Sequence, residues 1–171
     1  MGDASLTTEL GRVLVTGGSG FVGANLVTEL LERGLEVRSF DRVPSPLPGH
    51  PRLEVFEGDI TNSDDVAAAV DDIDTVIHTA AIIDLMGGAS VTQEYRQRSF
   101  AVNVTGTENL VHAAQKAGVK RFVYTASNSV VMGGKRISGG DEIPPHTDRL
   151  NDRYTAPKVV GAWSLDTQRG A

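Results

Sequence analysis

The sequence predicts an α/β fold, a doubly wound parallel sheet in one domain over residues 1–171. Three observations carry this. Short apolar, β-branched runs alternate with longer runs of helical spacing. A glycine-rich turn, "VLVTGGSGFVG" (13–23), lies between the first strand-like run and the first helical one. An acidic residue, Asp41, closes the second strand-like run, about twenty residues further on.

The elements follow in order. "RVLVT" (12–16) reads as the first strand. "FVGANLVTELLERG" (21–34) has apolar residues at helical spacing and ends in Gly34, a C-cap signal. "EVRSF" (36–40) and "LEVFEG" (53–58) read as strands two and three, joined by the irregular loop "VPSPLPGHP" (43–51). "DDVAAAV" (64–70) reads as a short helix with Asn62 or Ser63 as N-cap. "DTVIHTA" (74–80) is a fourth strand, and one helix covers roughly 93–118, closed by Gly118. "KRFVYTAS" (120–127) is a fifth strand. A Gly/Pro-rich loop (132–148) then leads to a final helix over 154–169. Because a βαβ unit needs a crossover, this alternation predicts parallel strands with helices on both faces.

Composition narrows the function. The chain has 171 residues, 40% apolar and 22% charged, with a net charge of −6. Its lysines and arginines are scattered, which argues against a nucleic-acid surface. No apolar run is long enough to cross a bilayer, and "MGDASL" lacks the build of a signal peptide and the Ser or Thr that a myristoylation signal needs at Leu6. With no cysteine, neither a disulfide nor a thiolate metal site can form. Histidines 50, 78, 112 and 146 show no ligand spacing, so no metal is expected. The expected compartment is the cytoplasm.

The glycine turn is the first functional signal. Gly17, Gly18, Gly20 and Gly23 fit both G-x-G-x-x-G and G-x-x-G-x-x-G, and Ser19, Phe21 and Val22 complete the stretch. Glycines there allow a tight turn, close approach by a pyrophosphate and tight packing of helix on strand. The helix start adds free N–H groups and a positive dipole end. No Gly-Lys-Ser/Thr follows, which excludes the lysine-bearing phosphate loop. Asp41 is placed to accept hydrogen bonds from ribose hydroxyls and to repel a 2′-phosphate, favouring NAD over NADP. Arg42 beside it is able to receive such a phosphate.

The second signal is "YTAPK" (154–158). Tyr154 and Lys158 are four residues apart, one face of a helix. An ammonium beside a phenol favours the phenolate, so Tyr154 could take a hydroxyl proton as hydride leaves the same carbon. The spacing alone is weak evidence, and its place after a dinucleotide loop and five strands gives it weight. At the end of the fifth strand Thr125, Ser127 and Ser129 would share one face by alternation, and the chemistry alone does not rank them.

These residues together resemble the extended short-chain dehydrogenase/reductase superfamily, with its Rossmann-type sheet. "TGGSGFVG" resembles its cofactor loop, and "GDIT" (58–61) the segment whose aspartate, here Asp59 beside Ile60, meets the adenine. "VIHTAA" (76–81) resembles its fourth-strand motif, which brings Thr79, Ala80 and Ala81 to the cofactor. "NVTGTENLVHAA" (103–114) resembles its central helix. "FVYTASNSVV" (122–131) resembles the serine strand and points to Ser127, and "YTAPK" the Tyr–Lys pair.

Within the superfamily, "HTAAIIDLMGG", "EYRQRSFAVNVTGTENL" and "YTASNSVVMGGK" look most like the 3β-hydroxysteroid dehydrogenase/isomerase branch of actinobacterial type. That resemblance implies NAD-linked oxidation of a 3β-hydroxyl on a cholesterol-like steroid, then movement of the ring double bond. Tyr154 would be the acid/base, Lys158 would tune it and hold the nicotinamide ribose, and Ser127 would bind the substrate oxygen.

Two features depart from the pattern. Pro157 stands just before the lysine, where it is tolerated only in the first turn of a helix. Enzymes of this branch are also much longer, so a further strand and most of the substrate region are expected to be missing from 1–171. An unpaired sheet edge would follow, and with it self-association as a possible homo-oligomer. The same motifs also serve nucleotide-sugar epimerases and dehydratases and dihydroflavonol-type reductases. A non-catalytic dinucleotide-binding module is the alternative of another class.

Overall fold

The computed structural model describes residues 9–47, 49–83 and 92–127. Within them lie β1 (Val13–Thr16), α1 (Phe21–Glu32), β2 (Val37–Asp41), β3 (Leu53–Glu57), α2 (Ser63–Ala69), β4 (Thr75–His78), α3 (Gln93–Phe100), α4 (Gly106–Lys116) and β5 (Arg121–Tyr124). The five strands form one parallel sheet in the order β3-β2-β1-β4-β5. The chain winds outward from β1 to β3, then crosses to the other side of β1 for β4. The seam between β1 and β4 is therefore the switch point, where such sheets hold ligands at the carboxyl ends of their strands.

Strand β1 shows why the sheet is covered on both faces. All four of its residues are fully buried. Alternation sends Val13 and Val15 to one side, against Val27 and Leu30 of α1. Leu14 goes to the other side, into a cluster with Phe40, Val66, Val76 and Leu110. Each such side chain contributes roughly 1.5–3 kcal/mol by leaving water. Asn62 caps α2 by accepting from the N–H groups of Asp64 and Asp65. Gly34 and Gly118 take positive φ just past α1 and α4.

The structure differs from the sequence pattern in three places. The fourth strand ends at His78, not residue 80, because Thr79 turns both its N–H and its hydroxyl onto the Thr16 carbonyl, at 3.2 and 2.7 Å. The fifth strand ends at Tyr124, because Ala126 N–H folds back onto the Tyr124 carbonyl at 3.0 Å. Thr125 and Ser127 thus lie beyond the strand and share no pleated face. The single helix expected over 93–118 is interrupted by a π-helical stretch, Ala101–Thr105, between α3 and α4. Ser129, the 132–148 loop and the helix over 154–169 lie outside the described residues. Among the described residues no helix is long and apolar enough to cross a membrane. There too, β5 forms one edge of the sheet, with Val123 half-exposed.

One polar group inside the fold went unread in the sequence. Arg38, in the middle of β2, is 7% exposed. Its Nε donates to Glu54 at 2.8 Å, and its Nη1 donates to the carbonyls of Ala69 and Asp71, each at 2.8 Å. These carbonyls close the end of α2, so one guanidinium satisfies acceptors that the helix cannot. Hydrogen bonds from Arg38 above all, and the nearby Arg12 charge, hold the Glu54 carboxyl below its ordinary range.

Replacing Arg38 with Leu should cost about 2–4 kcal/mol, because it strands buried carbonyls and removes one of the two guanidinium partners of Glu54, the other being Arg12. Urea unfolding measures this, and a change under about 0.5 kcal/mol would contradict it. The pH dependence of stability has a defined sign. Glu54, Asp59 and Asp74 all have lowered folded-state pKa values, Asp74 mainly through its hydrogen bond from Lys120. Stability should therefore be at its plateau above the ordinary values of 4.5 for Glu54 and 3.8 for the aspartates. It should fall as pH drops through the lower folded-state values. Thermal melts across that range test the sign.

Candidate functional site

Where β1 ends, the chain must turn sharply under α1, and the glycines make this possible. Gly17 has φ +70°, and a Cβ there would lie 2.8 Å from the Ala80 backbone. The N–H of Gly17 donates to the Phe40 carbonyl at 2.9 Å, which ties the turn to the end of β2. Gly18 packs on Ser39 of that strand. A Cβ on Gly23 would sit 2.0 Å from the Gly17 carbonyl oxygen, so α1 rests directly on the turn. Gly20 is different. Its Cβ would meet only the Gly17 oxygen, at 3.2 Å, and otherwise point into open space. The packing constrains this position less than Gly17 or Gly23, and a ligand lying close to the backbone would supply the stronger demand for a glycine.

Gly20 is also the N-cap of α1, with no side chain capping it. The first-turn N–H groups of this helix therefore present their dipole end at the mouth of the turn. The Phe21 and Val22 side chains are exposed, Phe21 at 88%.

A cleft of about 210 Å³ opens beside this turn. Gly17, Gly20, Asp41, Arg42, Asp59, Ile60, Thr79, Ala80 and Ala81 line it, so most of the residues singled out in the sequence meet in one place. Gly18, Ser19, Phe21, Val22 and Gly23 do not line it. Thr16, Phe40, Gly58, Ile82, Arg98 and Val102 line it too, although none was singled out as a site residue. All fall inside quoted stretches, but nothing in their residue types marks them as cleft residues.

Each acidic residue of the cleft is oriented by backbone donors. Asp41 accepts from Ser19 N–H at 3.1 Å and Val43 N–H at 3.3 Å. The Ser19 hydroxyl donates to the Val43 carbonyl at 3.0 Å. Ser19 thus locks the turn onto Asp41, with its N–H and its hydroxyl proton both donated within the protein. Asp59 accepts on one oxygen, Oδ1, from the N–H and the hydroxyl of Thr61 at 2.9 and 2.8 Å. Those bonds, with the charges of Arg42 and Arg98, hold its carboxyl below the ordinary range, and its Oδ2 accepts no hydrogen bond from the described residues. A charged acceptor therefore stands ready beside Ile60.

The wall at 80–82 is held by the central helix. Asn103, 2% exposed, accepts from Ile82 N–H at 2.8 Å and donates to the Ile82 carbonyl at 2.9 Å, as a neighbouring strand would. The π-helical stretch carries Asn103, and such stretches recur at functional sites. Asn109 of α4 donates to the carbonyls of Ile60 and Thr61, each at 3.2 Å. Ser127 lies three residues past β5, on the same carboxyl-end side of the sheet. Tyr154 and Lys158 lie outside the described residues.

Comparison with known proteins gives this arrangement its lineage. The family described as 3-beta hydroxysteroid dehydrogenase/isomerase matches residues 14–162. The chain belongs to this family. A 3 beta-hydroxysteroid dehydrogenase/Delta 5-->4-isomerase of Mycobacterium tuberculosis is 74% identical over 170 residues, 99% of this chain and 46% of that protein. A 3-beta-hydroxysteroid dehydrogenase of Mycolicibacterium neoaurum is 76% identical over the same length and shares. The chain thus spans just under half the length of these relatives. Among solved structures, a short-chain dehydrogenase/reductase superfamily protein from Agrobacterium tumefaciens with bound NAD superimposes with a TM-score of 0.79. It is 31% identical, over 92% of this chain and 45% of that one. The fold is the Rossmann-type sheet of that superfamily.

The two outer glycines should separate packing from ligand approach. Gly23→Ala should destabilise the fold by about 2 kcal/mol or more, since its methyl collides with backbone. Gly20→Ala should leave the melting temperature within about 2 °C of the unmutated chain and yet close the cleft to a ligand. Thermal melts read the first effect and ligand titration the second; equal melting temperatures for the two variants would contradict the assignment.

Proposed function

We propose that residues 1–171 are the NAD-binding domain of a 3β-hydroxysteroid dehydrogenase/isomerase. The observation that carries this reading is the meeting of the glycine turn, Asp41 and Asp59 in one cleft at the switch point. The residues present fit a dinucleotide. Gly20 leaves room where a pyrophosphate would approach, and the uncapped start of α1 offers it N–H groups. The Asp41 carboxylate, already oriented by Ser19 and Val43, is suited to the hydroxyls of the adenosine ribose. The Oδ2 of Asp59 suits the adenine amine, with Ile60, Ala80 and Ala81 against the ring. At about 210 Å³ the cleft is smaller than the ~300–1,000 Å³ usual for a whole small-molecule site, so it takes the adenosine side of the cofactor.

Bound NAD would accept a hydride from C3 of the steroid. Tyr154 would receive the proton of the 3-hydroxyl, Lys158 would stabilise the phenolate and hold the nicotinamide ribose, and Ser127 would hold the substrate oxygen. The steroid substrate and the isomerisation rest on the names of the relatives, which are more than twice as long as the matched stretch. Arg42 lines the same cleft as Asp41, so the preference for NAD over NADP depends on which charge faces the 2′ position.

The test is a fluorescence titration with NADH and NADPH. NADH should bind more tightly, and Asp41→Ala should shrink that preference by about tenfold, the worth of a charge-assisted hydrogen bond. An unchanged preference would remove Asp41 from the ribose site. In the full-length enzyme Tyr154→Phe should abolish steroid oxidation while leaving NADH binding within about twofold. Retained turnover would exclude Tyr154 as the acid/base.

A further inference from the structure

A chain of buried polar side chains runs through the core beside the cleft. At its centre is His78, the last residue of β4 and 1% exposed. Its Nδ1 lies 2.7 Å from the Thr16 hydroxyl, and its Nε2 lies 3.0 Å from the Thr107 hydroxyl. Thr16 is fully buried and Thr107 is 1% exposed. The ring lies against Tyr124 and Phe122, at centroid distances of 5.4 and 6.4 Å.

The directions of these bonds follow from one end. Thr107 Oγ lies 2.9 Å from the Asn103 carbonyl, which can only accept, so the Thr107 proton points there. Thr107 must then accept from His78, which puts a proton on Nε2. With the ring proton on Nε2, Nδ1 of the neutral imidazole can only accept, so the Thr16 proton goes to it and the Thr16 oxygen accepts from Ala80 N–H at 3.4 Å. The whole series points one way, from Ala80 N–H through Thr16, His78 and Thr107 to the Asn103 carbonyl.

One end of this series lies in the lining of the cleft, and the other holds a lining residue in place. Thr16 precedes Gly17, and its carbonyl holds Thr79. Asn103 holds Ile82. An apolar residue in place of His78 could fill the space between β4 and α4, but it could not fix the glycine turn and the π-helical stretch relative to each other.

We propose that His78, protonated on Nε2 and accepting on Nδ1, is a positioning residue that sets the spacing between the glycine turn and the central helix. This rests on the reading of the cleft as an NAD site. Thr107 touches no part of the cleft, yet its hydroxyl should matter to cofactor affinity, and only while His78 is there to relay it.

The experiment uses the whole chain and NADH. Thr107→Val should weaken NADH binding by about fivefold. In a His78→Leu background the same substitution should add no further loss. An unchanged affinity for Thr107→Val, or an equal loss in both backgrounds, would overturn the proposal. Long-range proton–nitrogen NMR spectra of the unmutated chain at about pH 7 should show the Nε2–H tautomer of His78. The Nδ1–H tautomer, or a doubly protonated ring, would overturn it without variants that need to fold. Failure of the unmutated chain to bind NADH would remove both the cofactor reading and the positioning role. A wrong tautomer with intact NADH binding would remove the positioning role alone.

Discussion

The site depends on one close approach of backbone to backbone. Gly17 lies against Ala80 across the seam between β1 and β4, at a distance that no Cβ fits. That contact brings together two segments more than sixty residues apart in the chain, as the Thr79–Thr16 bonds also do. From it the rest follows. The turn after Gly17 sets the start of α1, the Phe40 carbonyl fixes the turn to β2, and Asp41 is placed one residue further on. The cleft is therefore less a hollow between side chains than a gap that parallel strands leave where the winding direction changes.

Much of this was legible in the sequence for physical reasons. A parallel sheet buried on both faces needs continuous apolar strands, so "VLVT" and "TVIH" announce themselves, and the crossovers need helices of the observed spacing. Gly17 and Gly23 mark positions where only a hydrogen fits. Asn62 reads as a cap because its side chain competes with the backbone for just such N–H groups.

What stayed illegible is long-range. Arg38 looks like an ordinary strand residue until α2 folds over it and offers its terminal carbonyls. Arg98 and Val102 reach the cleft from the central helix, which widens into a π-helical turn at Ala101–Thr105, and no residue pattern in "AVNVT" announces that turn. Ser19 reads only as part of the glycine stretch, and its bonds to Asp41 and Val43 that lock the turn appear only in the fold. Strand ends shifted because Thr79 bonds across the seam to Thr16 and Ala126 folds back onto Tyr124, neither of which alternation foresees.

The central claim is that the cofactor lies across the described cleft, from the glycine turn to Asp59. The most direct measurement is a backbone amide NMR map of the 15N-labelled chain with and without NADH. Saturating NADH should shift the amides of residues 17–23, 59–61 and 80–82 together, and leave those of β3 and the far end of α1 near their original positions. Binding that perturbs other residues and leaves 17–23 unmoved would contradict the claim.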